Sequence, residues 1–339
     1  MGPRGDAAGD DARGTTVTSQ EGAETPVIVE VALSTRPDRS PHAPIGVDDV
    51  VEQGLACMEA GASVVHVHLP DLHVSPEEAT EQYVERFGPL LERDPEVLCL
   101  PTNGMGDTIA ERFEHQVRLH QAGVLRLAFV DPGATVLGWP GPDGAPAPGG
   151  HVYAHDYEAM GYAIDQGRAH GMAMHFACFE PGWLRNVMSY WRAGRLSPGS
   201  FVKFYFGGPE GVLGRGPGVT FGLPPTLLGL AAYREILELD GCPLPWFTAV
   251  VGGDLVETPV ARATVEQGGH LRVGLEDHAG DRRPSNVELV EEAVALCAEV
   301  GRPVASPAEA VRTLGVPPLP VALPTVPEPV APTRSEVRP

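Results

Sequence analysis

The amino-acid sequence predicts an α/β fold, a (β/α)8 TIM barrel formed by a single domain over residues 26 to 315. The main observation is that eight short apolar runs alternate with segments of helical length. Strand–helix alternation implies a parallel sheet, and eight repeats of this length fit a closed barrel better than an open sheet. A doubly wound sheet is the alternative fold, but no GxGxxG motif follows the first run.

Each predicted strand is a run of apolar, often β-branched residues. The runs are VIVEVAL (27–33), SVVHVHL (63–69), EVLCLPT (96–102), LRLAFV (125–130), MAMHFAC (172–178), FVKFYF (201–206), WFTAVV (246–251) and HLRVGL (270–275). The segments between them repeat apolar residues at helical spacing, and most end in glycine, as helices commonly do. Strand and helix therefore alternate along the domain.

The two ends of the chain differ in composition from this domain. Residues 1–25 are small, polar and acidic, which predicts a disordered tail because they bury too little apolar area to offset their conformational entropy. Residues 316–339 are dense in proline and predict an extended, Pro-rich tail.

Charge and cysteine content exclude several classes of protein. With 24 Lys and Arg against 45 Asp and Glu, the net charge is −21, so no nucleic-acid partner is expected. The 5 cysteines form no CxxC pair and are expected to be reduced. No run approaches the roughly 18 apolar residues of a membrane span, and the first 26 residues hold no signal-peptide core. A cytoplasmic protein with no membrane partner is expected.

Two histidines of the second predicted strand form a candidate metal site. Side chains alternate along a strand, so His66 and His68 share a face, while Val65 and Val67 face the helices. The pair lies at the carboxyl end of its strand, where barrel enzymes place catalytic groups. Two hydrogen-bonded structural histidines are the alternative. A shared metal would satisfy both rings.

The eighth predicted strand supplies a third candidate ligand. In HLRVGLED, alternation places Arg272, Gly274 and Glu276 on one face. The first and last strands of a closed barrel are neighbours, so Glu276 can approach the histidines. Two histidines and a carboxylate with an open position are typical of catalytic zinc, and also allow iron, cobalt or nickel.

Further polar residues lie near strand ends. Asp277, beside Arg272 and the metal, is expected to have a lowered pKa and to act as a base; a structural Arg–Asp ion pair is the alternative. Thr102 and Asn103 follow the third strand and are candidate substrate contacts, although an Asn-Gly turn also explains Asn103. Glu30 on the first strand could contact substrate or support the site.

Several segments together resemble the β-keto acid cleavage enzymes, from about Val27 to Leu314. They are ACMEAGASVVHVH (56–68), FEPG (179–182), GGHLRVGLED (268–277) and SNVELVEEAVALCAEVGRPVASPAEA (285–310). The resemblance implies a zinc-dependent barrel that combines a β-keto acid with acetyl-CoA to give acetoacetate and a new acyl-CoA. It also implies a homo-oligomer, commonly a tetramer, with a dimer as the other possibility.

The resemblance assigns roles to residues of this sequence. It implies His66, His68 and Glu276 as metal ligands, Arg272 and Asp277 as catalytic residues, and Thr102 as a substrate-contacting hydroxyl. Arg215, in the glycine-rich loop after the sixth strand, is a separate candidate to contact a CoA phosphate despite the acidic chain.

The sequence departs from the family at positions that concern the substrate. Pro70 stands where the family usually has an arginine, and His278 where it usually has an asparagine. The segment LSTRPD after the first strand lacks the glutamate that contacts aminated substrates, and its Arg36 would instead favour an acidic or polar tail. Two alternatives to this function remain: a metal-dependent hydrolase or aldolase that does not use CoA, and a non-catalytic barrel that binds partners through its Pro-rich tail.

Overall fold

The computed structural model describes residues 25–33 and 38–319, and strands alternate with helices along this part of the chain. The strands are β1 (Val29–Leu33), β2 (Val64–Val67), β3 (Leu98–Leu100), β4 (Leu127–Phe129), β5 (Ala134–Leu137), β6 (His151–Ala154), β7 (Ala173–Cys178), β8 (Phe201–Gly207), β9 (Trp246–Val251) and β10 (His270–Val273). The helices are α1 (Val47–Ala60), α2 (Pro76–Arg93), α3 (Ile109–Gln121), α4 (Tyr157–His170), α5 (Pro181–Arg192), α6 (Leu227–Leu239), α7 (Pro259–Glu266), α8 (Asn286–Val300) and α9 (Pro307–Leu314).

The helices begin and end at residues suited to those positions. The hydroxyls of Ser75, Thr108 and Ser285 each accept a hydrogen bond from a backbone amide in the first turn, which satisfies a donor that would otherwise lack a partner. Gly171 and Gly301 end α4 and α8 in the left-handed conformation that glycine adopts without a steric cost.

Eight parallel strands form a nearly closed barrel. Their order is β3-β2-β1-β10-β9-β8-β7-β4, and every paired neighbour is parallel. The first and last barrel strands, β1 and β10, are hydrogen-bonded neighbours, with Glu30 opposite Arg272. In β2, His66 stands opposite Ala32 of β1 and Leu100 of β3. The structure confirms the predicted (β/α)8 barrel.

Apolar side chains fill the space around the barrel and one end of its interior. Val65, Val67 and their counterparts on other strands pack against the helices, as the alternation in β2 predicts. Inside the barrel, a second cluster at the amino ends of the strands contains Ile28, Val64 and Phe201. Helix α9 adds Ala310 and Leu314 to this second cluster. One end of the barrel is therefore plugged, which leaves the carboxyl end for polar groups.

The β5–β6 hairpin was not predicted from the sequence. It is an antiparallel pair in which Ala134 stands opposite Ala154 and Leu137 opposite His151. The two strands are short, partly exposed and joined by a loop rich in Gly and Pro that is much longer than a tight hairpin turn, so the usual sequence signal is missing. The hairpin lies at the carboxyl end of the barrel.

No helix within residues 25–33 and 38–319 is long and apolar enough to cross a membrane. The predicted tails fall almost entirely outside the described residues, which include only Thr25 of the first and residues 316–319 of the second.

Candidate active site

A cavity of about 450 Å³ opens at the carboxyl ends of the barrel strands, the end that carries catalytic residues in barrel enzymes. Its volume is in the range of small-molecule sites. Its polar and aromatic lining residues include His66, His68, Thr102, Asn103, Arg112, Asp131, Trp139, His151, Tyr153, His155, His175, Tyr205, Arg215, Arg272, Glu276 and Asp277.

The cavity wall brings the predicted ligands His66, His68 and Glu276 together. Nε2 of His66 lies 3.2 Å from Oε2 of Glu276, and Nε2 of His68 lies 3.4 Å from Oε1. One nitrogen or oxygen from each residue falls within 4.8 Å of the others. Among the described residues, this is the only group of three His, Cys, Asp or Glu side chains with such spacing.

The tautomer of His66 is set by the hydrogen bond that its Nδ1 forms. Nδ1 lies 3.0 Å from the carbonyl oxygen of Leu100, which can only accept a hydrogen bond, so Nδ1 carries the hydrogen. Burial lowers the pKa of His66 to about 4, although Glu276 opposes this shift, so the ring is neutral near pH 7. Nε2 therefore presents a lone pair toward a carboxylate oxygen.

Two facing acceptors at this distance fit a cation between them. Oε2 of Glu276 is buried and has no hydrogen-bond partner in the structure. A tetrahedral zinc ion with bonds of about 2.0–2.2 Å separates neighbouring ligand atoms by about 3.3 Å. The 3.2 Å between His66 Nε2 and Glu276 Oε2 is close to this separation, and one ligand atom from each of the three residues lies within 4.8 Å of the others. The three residues can therefore hold a divalent metal ion.

Strand β10 is shorter than predicted, and its end changes how the acidic residues are placed. It stops at Val273, and Gly274 follows with φ +135°. A Cβ at Gly274 would lie 2.3 Å from the carbonyl oxygen of Ala32, so only glycine fits. Glu276 therefore lies in a turn, where its backbone amide donates to the same carbonyl. Strict alternation would have pointed Asp277 away from Glu276, whereas the turn lets both side chains reach the cavity.

Arg272 connects three carboxylates beneath the cavity. Its guanidinium donates to Asp277 Oδ2 at 2.7 Å, to Glu30 Oε1 at 2.8 Å and to Glu276 Oε1 at 2.7 Å. It also lies 5.4 Å from the centre of the Tyr205 ring. Burial alone would lower the pKa of Arg272, but the surrounding carboxylates raise it, so the guanidinium stays charged. Arg272 thus fixes the positions of Glu276 and Asp277.

The protein's own groups raise the pKa of Asp277, whereas the prediction of a lowered pKa was made for Asp277 beside Arg272 and a bound metal ion. Burial raises the pKa of Asp277, and the nearby carboxylates of Glu276 and Glu30 add to this, against the opposing effect of Arg272. The cost of removing a carboxylate from water exceeds the gain from one arginine when that arginine is shared with two other acids.

Glu30 does not line the cavity. It is completely buried and pairs with both Arg272 and Lys203, whose Nζ lies 2.5 Å from the Glu30 carboxylate. Burial would raise the pKa of Glu30, but Lys203 and Arg272 together lower it. Of the two predicted roles, the geometry favours support of the site over contact with substrate. Lys203 was missed, although a single lysine in the apolar strand FVKFYF was a visible signal.

The predicted contacts Thr102 and Asn103 both line the cavity, just beyond β3. The Thr102 carbonyl contacts Nε2 of His115 at 2.7 Å, which holds this segment against α3. The Asn103 amide oxygen accepts from Gln116 at 2.9 Å, while its Nδ2 is buried with no partner in the structure. A role in the turn therefore does not explain why the Asn103 amide donor is buried without a hydrogen-bond partner.

Arg215 and Arg36, the two arginines predicted to contact CoA or the substrate tail, differ in what the structure describes. Arg215 lines the cavity with its guanidinium 5.0 Å from the centre of the Trp139 ring. It also lines a second cleft of about 430 Å³, together with Arg39 and Arg283. Arg36 lies outside the described residues.

Several further polar residues of the cavity were missed, among them Asp131, His175 and Arg112. Asp131 follows β4 and accepts a hydrogen bond from the Tyr153 hydroxyl; burial raises its pKa to about 6. His175 of β7 is buried, and neither ring nitrogen has a hydrogen-bond partner. Asp131, just beyond the end of β4, follows the rule that residues at the carboxyl ends of strands line the site, whereas His175 lies within β7. Arg112 lies on α3, where the sequence carries no comparable signal.

Comparison with known proteins agrees with this architecture. The profile of the beta-keto acid cleavage enzyme family matches residues 26–316. A 3-oxoadipate:acetyl-CoA acetyltransferase of Cupriavidus necator is 26% identical over 306 residues, covering 86% of this chain and 95% of that protein. A 3-keto-5-aminohexanoate cleavage enzyme of Acetoanaerobium sticklandii is 24% identical over 286 residues, covering 82% of this chain and 93% of that protein.

Solved structures show the same fold. ObcA in a binary complex with oxaloacetate superposes with a TM-score of 0.62 at 16% identity, over 81% of this chain and 68% of that chain. This similarity supports the barrel alone. The family match spans the whole described barrel, so the chain belongs to the β-keto acid cleavage enzyme family and is an enzyme of that kind.

Proposed function

We propose that this chain is a zinc-dependent enzyme that converts a β-keto acid and acetyl-CoA into acetoacetate and a new acyl-CoA. The observation that carries the metal proposal is the pair of acceptor atoms, His66 Nε2 and Glu276 Oε2, that face each other at 3.2 Å. The names of the curated relatives, which include two acetyl-CoA-dependent transferases, support the reaction.

His66, His68 and Glu276 would hold the ion, and another divalent transition metal would suit the same ligands. When bound, the metal supplies Lewis-acid polarisation of the substrate ketone, which makes the neighbouring carbon more acidic. A buried carboxylate next to that carbon then suffices as the base.

Asp277 is the proposed base and Arg272 the residue that positions it. The carboxylate would take a proton from the carbon between the keto and acid groups of the substrate, and that carbon would then attack the acetyl carbonyl. Thr102 and Asn103 are the proposed substrate contacts, with the Asn103 Nδ2 as an available donor. The bond from that carbon to the acetyl group forms as the thioester C–S bond breaks, and the released CoA thiolate would attack the original ketone. Cleavage of the bond between that ketone carbon and the attacking carbon would then give the new acyl-CoA and acetoacetate, which takes back the proton from Asp277.

Arg215 is the proposed contact for a CoA phosphate. It borders both the main cavity and the second cleft, so a ligand that extends from one to the other would pass its guanidinium. Arg36 is a proposed contact for an acidic or polar substrate tail on the basis of the sequence. Homo-oligomerisation and a cytoplasmic location stay predictions from the sequence.

The test combines metal content with turnover. Purified wild type, His66→Ala and Glu276→Gln are analysed by metal mass spectrometry, and acetoacetate is measured with a panel of β-keto acids plus acetyl-CoA. We expect about one zinc per wild-type chain and acetoacetate from at least one acid, with both lost in the two variants. His73→Ala is the control, because His73 is exposed and does not line the cavity.

Two outcomes would contradict the proposal in different ways. Absence of metal from correctly folded wild type would refute the metal site. Metal together with cleavage that does not consume acetyl-CoA would instead favour the hydrolase or aldolase alternative.

A further inference from the structure

Arg112 is a cavity arginine that the catalytic assignments leave unused. It lines the cavity, its Nε is buried without a partner, and its guanidinium forms neither a hydrogen bond nor an ion pair with any described residue. Arg272, in the same cavity, contacts three carboxylates. In a chain with 45 acidic and 24 basic residues, a half-buried arginine without an ion-pair partner among the described residues needs another explanation.

The backbone holds Arg112 beside the predicted substrate contacts. It lies in the first turn of α3, and its carbonyl accepts a hydrogen bond of 3.0 Å from the Gly104 amide. Gly104 follows directly after Thr102 and Asn103. The base of the Arg112 side chain is thus fixed to the segment that ends β3, on the wall of the cavity formed by β3 and α3.

No acid lining the cavity neutralises Arg112. The acidic side chains of the lining are Asp131, Glu276 and Asp277, and none of them forms an ion pair with it. Asp131 is engaged by the Tyr153 hydroxyl, and the other two by Arg272. On the hairpin side, burial and the charge of Arg112 lower the pKa of His155 to about 4, so this neighbour is neutral near pH 7. Arg112 thus carries its positive charge on the cavity wall without an ion-pair partner among the described residues.

CoA is the less suitable partner for this charge. The second cleft with its additional arginines adjoins the cavity at Arg215, and Arg112 does not line that cleft. A polyphosphate that runs from the cavity into the second cleft would therefore pass Arg215 and leave Arg112 for the other substrate. A guanidinium with an unpartnered Nε suits a planar carboxylate, which it can bind with two parallel hydrogen bonds.

We propose that Arg112 binds a second carboxylate, at the end of the β-keto acid remote from the reacting carbons, and that the substrates of this enzyme are β-keto dicarboxylic acids. This inference rests on the proposed function. It makes Arg112 a specificity-determining residue with no part in the chemistry. The reacting end of the substrate is proposed to bind beside His66, His68 and Glu276, independently of the chemical group at the end of its tail.

The test compares two acids that differ only in the tail. 3-Oxoadipate and 3-oxohexanoate have the same six-carbon chain, with a carboxylate or a methyl group at the far end. Acetoacetate formation is measured with both acids and acetyl-CoA for wild type, Arg112→Gln and Arg112→Lys. The control is Arg185→Gln, an exposed arginine of α5 that does not line the cavity.

We expect wild type to prefer 3-oxoadipate by about 100-fold in kcat/KM, the effect of one charge-assisted bidentate contact. Arg112→Gln is expected to remove this preference by lowering kcat/KM for 3-oxoadipate alone, and Arg112→Lys to retain part of it. Unchanged melting temperature and metal content in the variants would show that the site is intact. The control is expected to match wild type with both acids.

Three outcomes would overturn the inference: a wild-type preference for 3-oxohexanoate, an equal loss for both acids in Arg112→Gln, or a change confined to the KM of acetyl-CoA. Isothermal titration of each acid into wild type and Arg112→Gln provides a readout that does not depend on turnover. If no acid yields acetoacetate, the proposed function fails, while the difference in binding between the two acids still decides the role of Arg112.

Discussion

Nε of Arg272 donates a hydrogen bond of 2.7 Å to Oδ2 of Asp277, and both side chains are almost completely buried. The two residues are five positions apart, on a strand and on the turn that follows it. A second hydrogen bond, from Nη2 to Oδ1 at 3.3 Å, fixes the plane of the carboxylate. The base proposed for proton abstraction is thus held in one orientation before substrate arrives, which lowers the entropic cost of reaction.

Asp277→Asn is expected to lower kcat by about 10²–10⁴-fold, the usual contribution of a positioned general base. The amide has nearly the same shape but cannot accept the proton. Metal content is expected to stay at the wild-type level, because Asp277 is not among the three grouped ligands. Steady-state kinetics and metal analysis are the measurements.

The matched variant for this prediction is Glu276→Gln, which is expected to lose metal and activity together. Wild-type turnover in Asp277→Asn would exclude Asp277 as the base. Loss of metal from Asp277→Asn would instead make this residue part of the metal site.

Gly274→Ala tests the turn that brings Glu276 and Asp277 to the cavity. The new Cβ would lie 2.3 Å from the Ala32 carbonyl oxygen, and φ is +135°. Gly280→Ala is the matched control, because Gly280 has φ +145° but nothing within 4 Å of a Cβ. We expect the control to lose about 1–2 kcal/mol of unfolding free energy from backbone strain, and Gly274→Ala to lose more and to bind less metal. Equal losses in denaturant titrations would show that the contact with Ala32 is unimportant.

The sequence was sufficient for the barrel and for the grouping of His66, His68 and Glu276. Period-two alternation gives the direction of both histidines without knowledge of the fold, and closure of the barrel brings the last strand beside the first. These features depend only on local periodicity and on the number of strands. The strand boundary at Gly274 could not be predicted from local periodicity, because it is fixed by contact with Ala32, which is distant in the sequence.

Residues that reach the cavity from other elements could not be predicted in this way. Arg112 reaches it from a helix, and Tyr153 from a hairpin with no clear turn signal. The sign of the Asp277 pKa shift depends on how many acids share Arg272, which is a property of the assembled site. Burial and charge sharing are set by tertiary contacts and are not visible in residue spacing.

Asp131→Asn is expected to change how stability depends on pH. Burial raises the pKa of Asp131 to about 6, against about 4 in an unfolded chain. The folded state therefore binds the proton more tightly, and this residue's contribution to the free energy of unfolding falls as pH rises from about 4 to 6. The variant is expected to gain on the order of 3 kcal/mol relative to wild type between pH 4 and pH 7.

Chemical denaturation of both proteins across this pH range measures the difference. The exposed Asp281→Asn is the control and is expected to show no such gain. A constant difference between wild type and Asp131→Asn at all pH values would show that folding does not raise the pKa of Asp131.

Removing Glu30 is expected to destabilise the protein more than removing Lys203. Both side chains are completely buried, and the same Glu30 oxygen accepts from Lys203 and from Arg272. In Lys203→Met, Glu30 keeps Arg272 as a partner and the barrel gains an apolar side chain. In Glu30→Gln, Lys203 and Arg272 lose their shared negative charge and face each other as like charges. We expect a loss of about 3–5 kcal/mol for Glu30→Gln and a smaller one for Lys203→Met.

Guanidinium titrations of both variants and of the double variant test this asymmetry. The double variant is expected to be more stable than Glu30→Gln, because removal of Lys203 also removes the unpaired buried ammonium. Arg262→Gln, which breaks the exposed pair with Glu299, is the control and is expected to cost under about 1 kcal/mol. If Lys203→Met were the more damaging single change, the stabilisation would lie in the lysine's own packing against Phe201 and Phe247 and not in its charge.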